Sequence, residues 1–201
     1  MSSIEKTNII SVDSDNRKES SNSLVYRLAK IDDCHSLSNL INSAYRGQLS
    51  YQGWTNEDAL ISIPRTNPNQ LFNMINTNKY IFLLFFSEID QILTGCINLQ
   101  HKEESKTAEI GMFAVRPDLQ GRGYGKKILS IAENNAINNW NVEYIQLYSI
   151  IQRPELIAYY TRRGYIDTGQ RLPFTIQLSK LDPSMRDDLE ISLMRKSVKK
   201  D

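Results

Sequence analysis

The chain has 201 residues, 40% of them hydrophobic and 23% charged, with a formal net charge of +1. That length and apolar content suit one domain with a full core, and the near-neutral charge excludes a general field for nucleic acid or membrane. Two cysteines, Cys34 and Cys96, give neither a disulfide framework nor metal-ligand spacing, so no metal is expected and a reducing compartment fits.

Residues 1–23 are polar, rich in Ser, Asn and charge, and carry no sustained periodicity. They are expected to form a disordered tail, because such a segment cannot offset its ordering entropy by burial. The apolar stretch of a secretory signal is missing from them, and Glu5, Asp13, Asp15 and Glu19 argue against a transit peptide. No apolar run approaches the roughly 18–20 residues of a membrane span. The expected location is the cytoplasm, with the nucleus as a second compartment.

LVYRL at 24–28 reads as a first strand. Asp32 then caps a helix in which Leu37, Leu40, Ile41 and Ala44 recur at helical spacing, and Gly47 stops it. After a loop with Tyr51, Gly53 and Trp54, Thr55-Asn56-Glu57-Asp58 resembles a capping box and predicts a short helix ending near Ile63, ahead of Pro64. Asn67-Pro68 opens another turn of helix with Leu71 and Ile75 on one face. The pattern then changes to strands at 80–86, 92–99 and 108–115, spaced as an antiparallel meander; IFLLFF at 81–86 looks buried on both faces. A helix after Gly123 buries Ile128, Leu129, Ala132 and Ala136 or Ile137. A strand at 142–151, a helix at 154–163, a strand at 165–169 and a closing strand at 189–194 complete the chain. The expected class is α/β (α+β): a mixed, mostly antiparallel sheet of about six to seven strands flanked by about four helices on both faces. It forms one domain over 24–196, with a short charged end at 197–201 that reads as a solvated cluster rather than a nucleic-acid arm.

One stretch organises the rest: AEIGMFAVRPDLQGRGYGKKIL, residues 108–129. A strand passes a turn, crosses Gly121, Gly123 and Gly125, and continues as a helix, so backbone N–H groups are left bare at a helix start. The helix dipole and those amides favour an anion there. The even glycine spacing fails the G-x-G-x-x-G dinucleotide fingerprint, and Gly125-Lys126 is followed by Lys127 rather than Ser or Thr, so the nucleotide P-loop fails too.

What remains, Gln120, two residues, Gly123, one residue, Gly125, resembles the coenzyme A-binding motif of the GNAT superfamily of N-acetyltransferases, with Val115 and Pro117 at the usual upstream offsets. A second segment, RPELIAYYTRRGY at 153–165, resembles that superfamily's late helix, and Tyr160, four before Gly164, falls on its catalytic tyrosine. Tyr45-Arg46-Gly47, Gly53-Trp54-Thr55 and Arg153-Pro154-Glu155 together resemble an uncharacterised subgroup. The resemblance implies the GNAT fold, acetyl-CoA as co-substrate and transfer to a small-molecule or peptide amine. It implies that the amides of Gln120, Gly121, Arg122, Gly123, Tyr124, Gly125 and Lys126 hold the pyrophosphate, with charge from Arg122, Lys126 and Lys127. A splayed strand at Phe113-Ala114-Val115 then provides amides for the thioester and pantetheine. Arg153 stands where relatives carry a cofactor-contacting Asn.

Acyl transfer to an amine needs a base to deprotonate the nucleophile, a donor for the oxyanion and an acid for the leaving thiolate. Tyr160 is the implied acid. Glu109, in an Ala-Glu-Ile context like that of the superfamily's histone acetyltransferases, is the candidate base. Tyr45, Tyr51 and Trp54 lie where the superfamily walls its acceptor site, and an aromatic wall there could hold an amine cation. Cys34-His35 is not a nucleophile–base pair, since adjacent helical residues point about 100° apart. The competing reading is a coenzyme A-binding sensing or interaction module without turnover.

Overall fold

The computed structural model describes residues 10–11, 23–61, 63–77, 79–174 and 188–199. Among the described residues, eight strands form one sheet: β1 (Ile10–Ser11), β2 (Leu24–Leu28), β3 (Tyr80–Ser87), β4 (Leu93–Lys102), β5 (Thr107–Val115), β6 (Tyr144–Ile150), β7 (Ile166–Pro173) and β8 (Glu190–Ser197). Their order is β1-β2-β3-β4-β5-β6-β8-β7. Every neighbouring pair is antiparallel except β5 and β6. The four helices are α1 (Cys34–Tyr45), α2 (Pro68–Asn76), α3 (Tyr124–Trp140) and α4 (Pro154–Thr161).

The apolar run of β3 is buried on both faces because helices cover both sides of the sheet. Leu83 and Phe85 join Ile97 and Leu99 of β4 in the cluster packed under α3, while Phe82 and Leu84 join Cys96 in the cluster under α1 and α2. The meander of β3, β4 and β5 and the helices on both faces are as the sequence implies. Ile10–Ser11 adds a two-residue strand, Ile10 opposite Tyr26, within the segment expected to be an unstructured tail; the remainder of residues 1–22 lies outside the described residues.

Two local expectations are corrected. Helix α1 begins after a single 3-10 turn, with Asp33 rather than Asp32 at its boundary. The Asp33 carboxylate accepts from the Lys30 N–H at 2.7 Å and from both terminal nitrogens of Arg27 at 2.7 and 2.8 Å, and hydrogen bonding to Arg27 holds it below the usual carboxylate range. No helix follows Thr55, and residues 58–60 make only a turn. The groups of the apparent capping box are engaged elsewhere: the Thr55 hydroxyl donates to Ala44 O at 2.8 Å, and Glu57 pairs with Arg46 at 2.7 Å.

The feature that positions the site is where pairing stops. Strands β5 and β6 are in register only from Thr107 opposite Tyr144 to Ile110 opposite Leu147. Beyond that point β5 continues to Val115 beside β4 and β6 continues to Ile150 beside β8, with the two strands no longer paired to each other. A bulge in the β4–β5 ladder, where Met112 takes φ 42°, sits at the divergence. A gap thus opens inside the sheet. Among the described residues, no helix is long and apolar enough to cross a membrane, and no cluster of side chains could hold a metal.

Candidate active site

The gap leads into a cavity of about 650 Å³ bounded by the glycine turn, β5, β6 and α4. A smaller cavity of about 280 Å³ adjoins it, sharing Tyr45, Arg65, Phe113, Tyr148 and Tyr160.

On one side stands the turn before α3. A 3-10 turn at Pro117–Leu119 delivers Gln120, whose N–H is satisfied by Pro117 O at 3.2 Å. Gly121 at φ 77° and Gly123 at φ 86° then occupy the left-handed region, which a side chain would strain. Gly123 caps α3 with no side-chain hydrogen bond, so the amides of the first turn face outward without intrahelical acceptors. Gly121, Gly123, Gly125 and Lys126 line the cavity, with Arg162 and Arg163 beyond. Bare amides, open glycine surfaces and three cations fit a pyrophosphate, and therefore acetyl-CoA. Of the other expected turn residues, Tyr124 is buried in the core and has only its backbone to offer, and Arg122 is exposed outside the lining.

Gln120 does more than its backbone. Its Nε2 donates to Val115 O at 3.0 Å and Thr55 Oγ1 at 2.8 Å, while its Oε1 accepts from Trp54 N–H at 2.8 Å. It joins the cofactor turn, the end of β5 and the loop carrying Trp54. Gly53 is required beside it, because a Cβ there would lie 2.5 Å from Gln120 Oε1.

Phe113 and Val115 line the cavity, whereas the Ala114 side chain is buried under α1. Arg116 N–H donates to Thr94 O on β4 at 2.9 Å, so by strand alternation Val115 presents its N–H towards the gap. Tyr45 donates its hydroxyl to Phe113 O, and burial pushes that phenol up.

Tyr160 faces both cavities and packs edge-on against Tyr159 and Tyr165, with ring centroids 5.2 and 5.8 Å away. Burial, reinforced by Tyr45 and Tyr159, raises its phenol well above its ordinary value, so it stays protonated. Tyr159 lies against the first turn of α3, where a Cβ on Gly125 would come within 2.9 Å of its hydroxyl. That hydroxyl is buried and, among the described residues, without a hydrogen-bond partner; the Arg163 guanidinium sits 3.3 Å over its ring.

Glu109 lies in the smaller cavity. Its Oε2 accepts from Gln146 Nε2 at 3.1 Å and is 4.0 Å from Lys102 Nζ; Gln146 Oε1 accepts in turn from Arg195 at 3.0 Å. Trp54 reaches the main cavity and leans on Tyr159 at 5.5 Å, whereas Tyr51 is 66% exposed, donates to Asp58 at 3.2 Å and lines neither cavity.

Arg153 differs from the expectation of a cofactor contact. It is only 6% exposed and is absent from the cavity wall. Its guanidinium donates to Trp54 O at 2.8 Å and Thr55 O at 3.3 Å, pairs with Glu155, and stands 3.8 Å from Glu57. Glu57, also paired with Arg46, was invisible in the sequence as a site residue, as were Arg65 and Tyr148. Arg162 and Arg163 had a signal, their position directly after the tyrosine motif.

A phosphate-sized nest of amides, a strand edge opened beside it and a protonated tyrosine between them define an acyl-CoA-dependent transferase. Residues 40–165 match the acetyltransferase (GNAT) family, and the chain belongs to that family. It is an N-acetyltransferase with acetyl-CoA as donor, moving an acetyl group to an amine. Solved structures share its fold. The spermidine N-acetyltransferase from Vibrio cholerae, in complex with CoA and spermine, superposes with a TM-score of 0.63 at 19% identity, covering 87% of this chain and 95% of that one. A chimera of the Vibrio cholerae spermidine N-acetyltransferase SpeG and hSSAT gives a TM-score of 0.64 at 18% identity, with 87% and 95% covered. No curated protein matches the sequence.

Proposed function

We propose that the domain at 24–196 transfers the acetyl group directly to a primary amine in a ternary complex, without an acyl-enzyme. The observation that carries this is the convergence of the glycine turn, the opened edge of β5 and Tyr160 on one cavity. Bound acetyl-CoA supplies an activated thioester carbonyl and a thiolate leaving group. The amides of the glycine turn and Lys126 hold its phosphates, and the Val115 N–H polarises the carbonyl from the strand edge. From the adjoining cavity Glu109 takes a proton from the acceptor ammonium, directly or through water, and frees the lone pair with which the neutral amine attacks. Tyr160 returns a proton to the departing sulfur. Tyr45 and Trp54 wall the acceptor, with Arg153 holding the Trp54 loop in place.

The neighbouring structures named for spermidine and spermine act on or bind small amines, which supports a small-molecule acceptor over a peptide. Two buried free cysteines fit the cytoplasm, or the nucleus, as its place of work.

An amine panel with acetyl-CoA, read by free thiol release, tests the reaction. Tyr160→Phe is expected to lower kcat by roughly 10²-fold with acetyl-CoA affinity unchanged, and Glu109→Gln to lower it by a similar order. Tight acetyl-CoA binding with no thiol release for any amine would instead favour the binding module. An unchanged kcat in the Tyr160→Phe variant would remove the acid role.

A further inference from the structure

Arg65 has no function in the reaction as described. It follows Pro64 in the segment between the Trp54 loop and α2, and its guanidinium lies over the Tyr45 ring at 5.6 Å, on the wall common to both cavities. Its backbone is anchored, while its side chain is exposed. Asn42 of α1 accepts from Arg65 N–H at 2.8 Å and Thr66 N–H at 3.2 Å through one amide oxygen, and donates to Thr66 O at 2.9 Å through its nitrogen. Among the described residues the Arg65 guanidinium pairs with no carboxylate, whereas Arg46 and Arg153 share Glu57 and Arg116 takes Asp118.

The charges around it are few. Among the described residues, Arg65 and Glu109 are the charged side chains of the smaller cavity, one cation and one anion. Glu57, the carboxylate of the larger one, is already neutralised by two arginines. The glycine turn, Lys126, Arg162 and Arg163 line the larger cavity and none of the smaller one. Arg65 therefore faces the acceptor rather than the cofactor phosphates. Among the described residues, a ligand with several ammonium groups would find one carboxylate not held by an arginine and the Arg65 guanidinium opposing it, and like charges at an acceptor site reject a ligand as effectively as contacts attract one.

We propose that the acceptor is an amine that also carries a carboxylate, with Arg65 binding the carboxylate while the amine lies towards Glu109 and Tyr160. A planar guanidinium matches a carboxylate in two parallel hydrogen bonds, and the Tyr45 ring lies beneath one of its faces. The inference rests on the acetyl-transfer reading and names its substrate class.

The test pairs amino acids, including ω-amino acids, with their decarboxylated amines, and adds spermidine. Thiol release gives kcat/KM for each, and calorimetry on the CoA-loaded protein gives affinity independently of turnover. The best acceptor is expected to carry a carboxylate and to exceed its decarboxylated partner by roughly tenfold or more, the worth of a charge-assisted hydrogen bond. Arg65→Ala should close that gap through KM, and Arg65→Lys should restore part of it. Preference for spermidine or a plain amine, or a gap that survives Arg65→Ala, would overturn the proposal while leaving acetyl transfer intact. Absence of thiol release with every amine would overturn the reaction instead. The substrate class would then be decided by calorimetry, where equal affinity for amino acids and their decarboxylated partners rejects it.

Discussion

Tyr160 is held as a phenol by its surroundings. Burial is the largest cause and the neighbouring tyrosines add to it, so ionisation is pushed well above the ordinary value near 10. An acid whose pKa is raised keeps its proton through the whole working range. The rate is therefore expected to climb with pH as the acceptor amine loses its proton, with no falling limb below about pH 10. A kcat profile from about pH 6 to 10 checks this, and a fall near pH 8–9 would assign the acid elsewhere. Tyr160 and Gln120 were legible in the sequence because each belongs to a short local motif. Arg153 was legible as a departure from that motif but not in its consequence. Its partners Trp54, Thr55 and Glu57 are brought to it only by the tertiary fold, and it works as a clamp on the Trp54 loop. Arg65 was missed for a related reason: nothing local shows that the fold brings its guanidinium over the Tyr45 ring at the cavity wall.

At the level of elements, three glycines that look alike in the sequence have separate reasons to be there. Gly121 and Gly123 have positive φ and open space around a hypothetical Cβ, so their requirement is conformational. Gly125 lies inside α3, and what constrains it is the Tyr159 hydroxyl of α4, 2.9 Å from where its Cβ would be, with Phe113 at 3.6 Å. Gly125→Ala is expected to destabilise the protein by about 1–3 kcal/mol through overpacking between α3 and α4. Adding Tyr159→Phe should recover part of that loss by removing the clashing oxygen. Urea unfolding of the two variants and the wild type measures both, and no recovery in the double variant would place the constraint elsewhere. The apparent capping box at Thr55 shows the opposite failing of local reading. The residue types were right for a helix start, but Ala44 O and Arg46 compete for the same groups and win.

For the whole molecule, the switch from period 3.6 to apolar strands made the meander readable, and the both-face burial of β3 followed from its unbroken apolar run. The order β6-β8-β7 was not readable. Hydrophobic pattern says that three strands exist, not that the last is inserted between its predecessors, leaving an exposed β7 at the edge. Nor did sequence show where the β5–β6 ladder ends at Ile110 and Leu147. That ending has a consequence for local stability. A sheet normally protects its central strands best, yet here backbone N–H groups near the middle of an eight-stranded sheet have no strand partner on one side. Deuterium uptake followed by mass spectrometry should find 111–115 and the turn at 120–126 exchanging faster than 81–86 in the free protein. Saturating CoA should slow exchange at the turn and the strand edge together while leaving 81–86 unchanged. Uptake at 111–126 unaffected by CoA would mean that the cofactor does not complete the sheet. With the expected result, the most central backbone is among the least protected until the co-substrate arrives, filling the place of a missing strand.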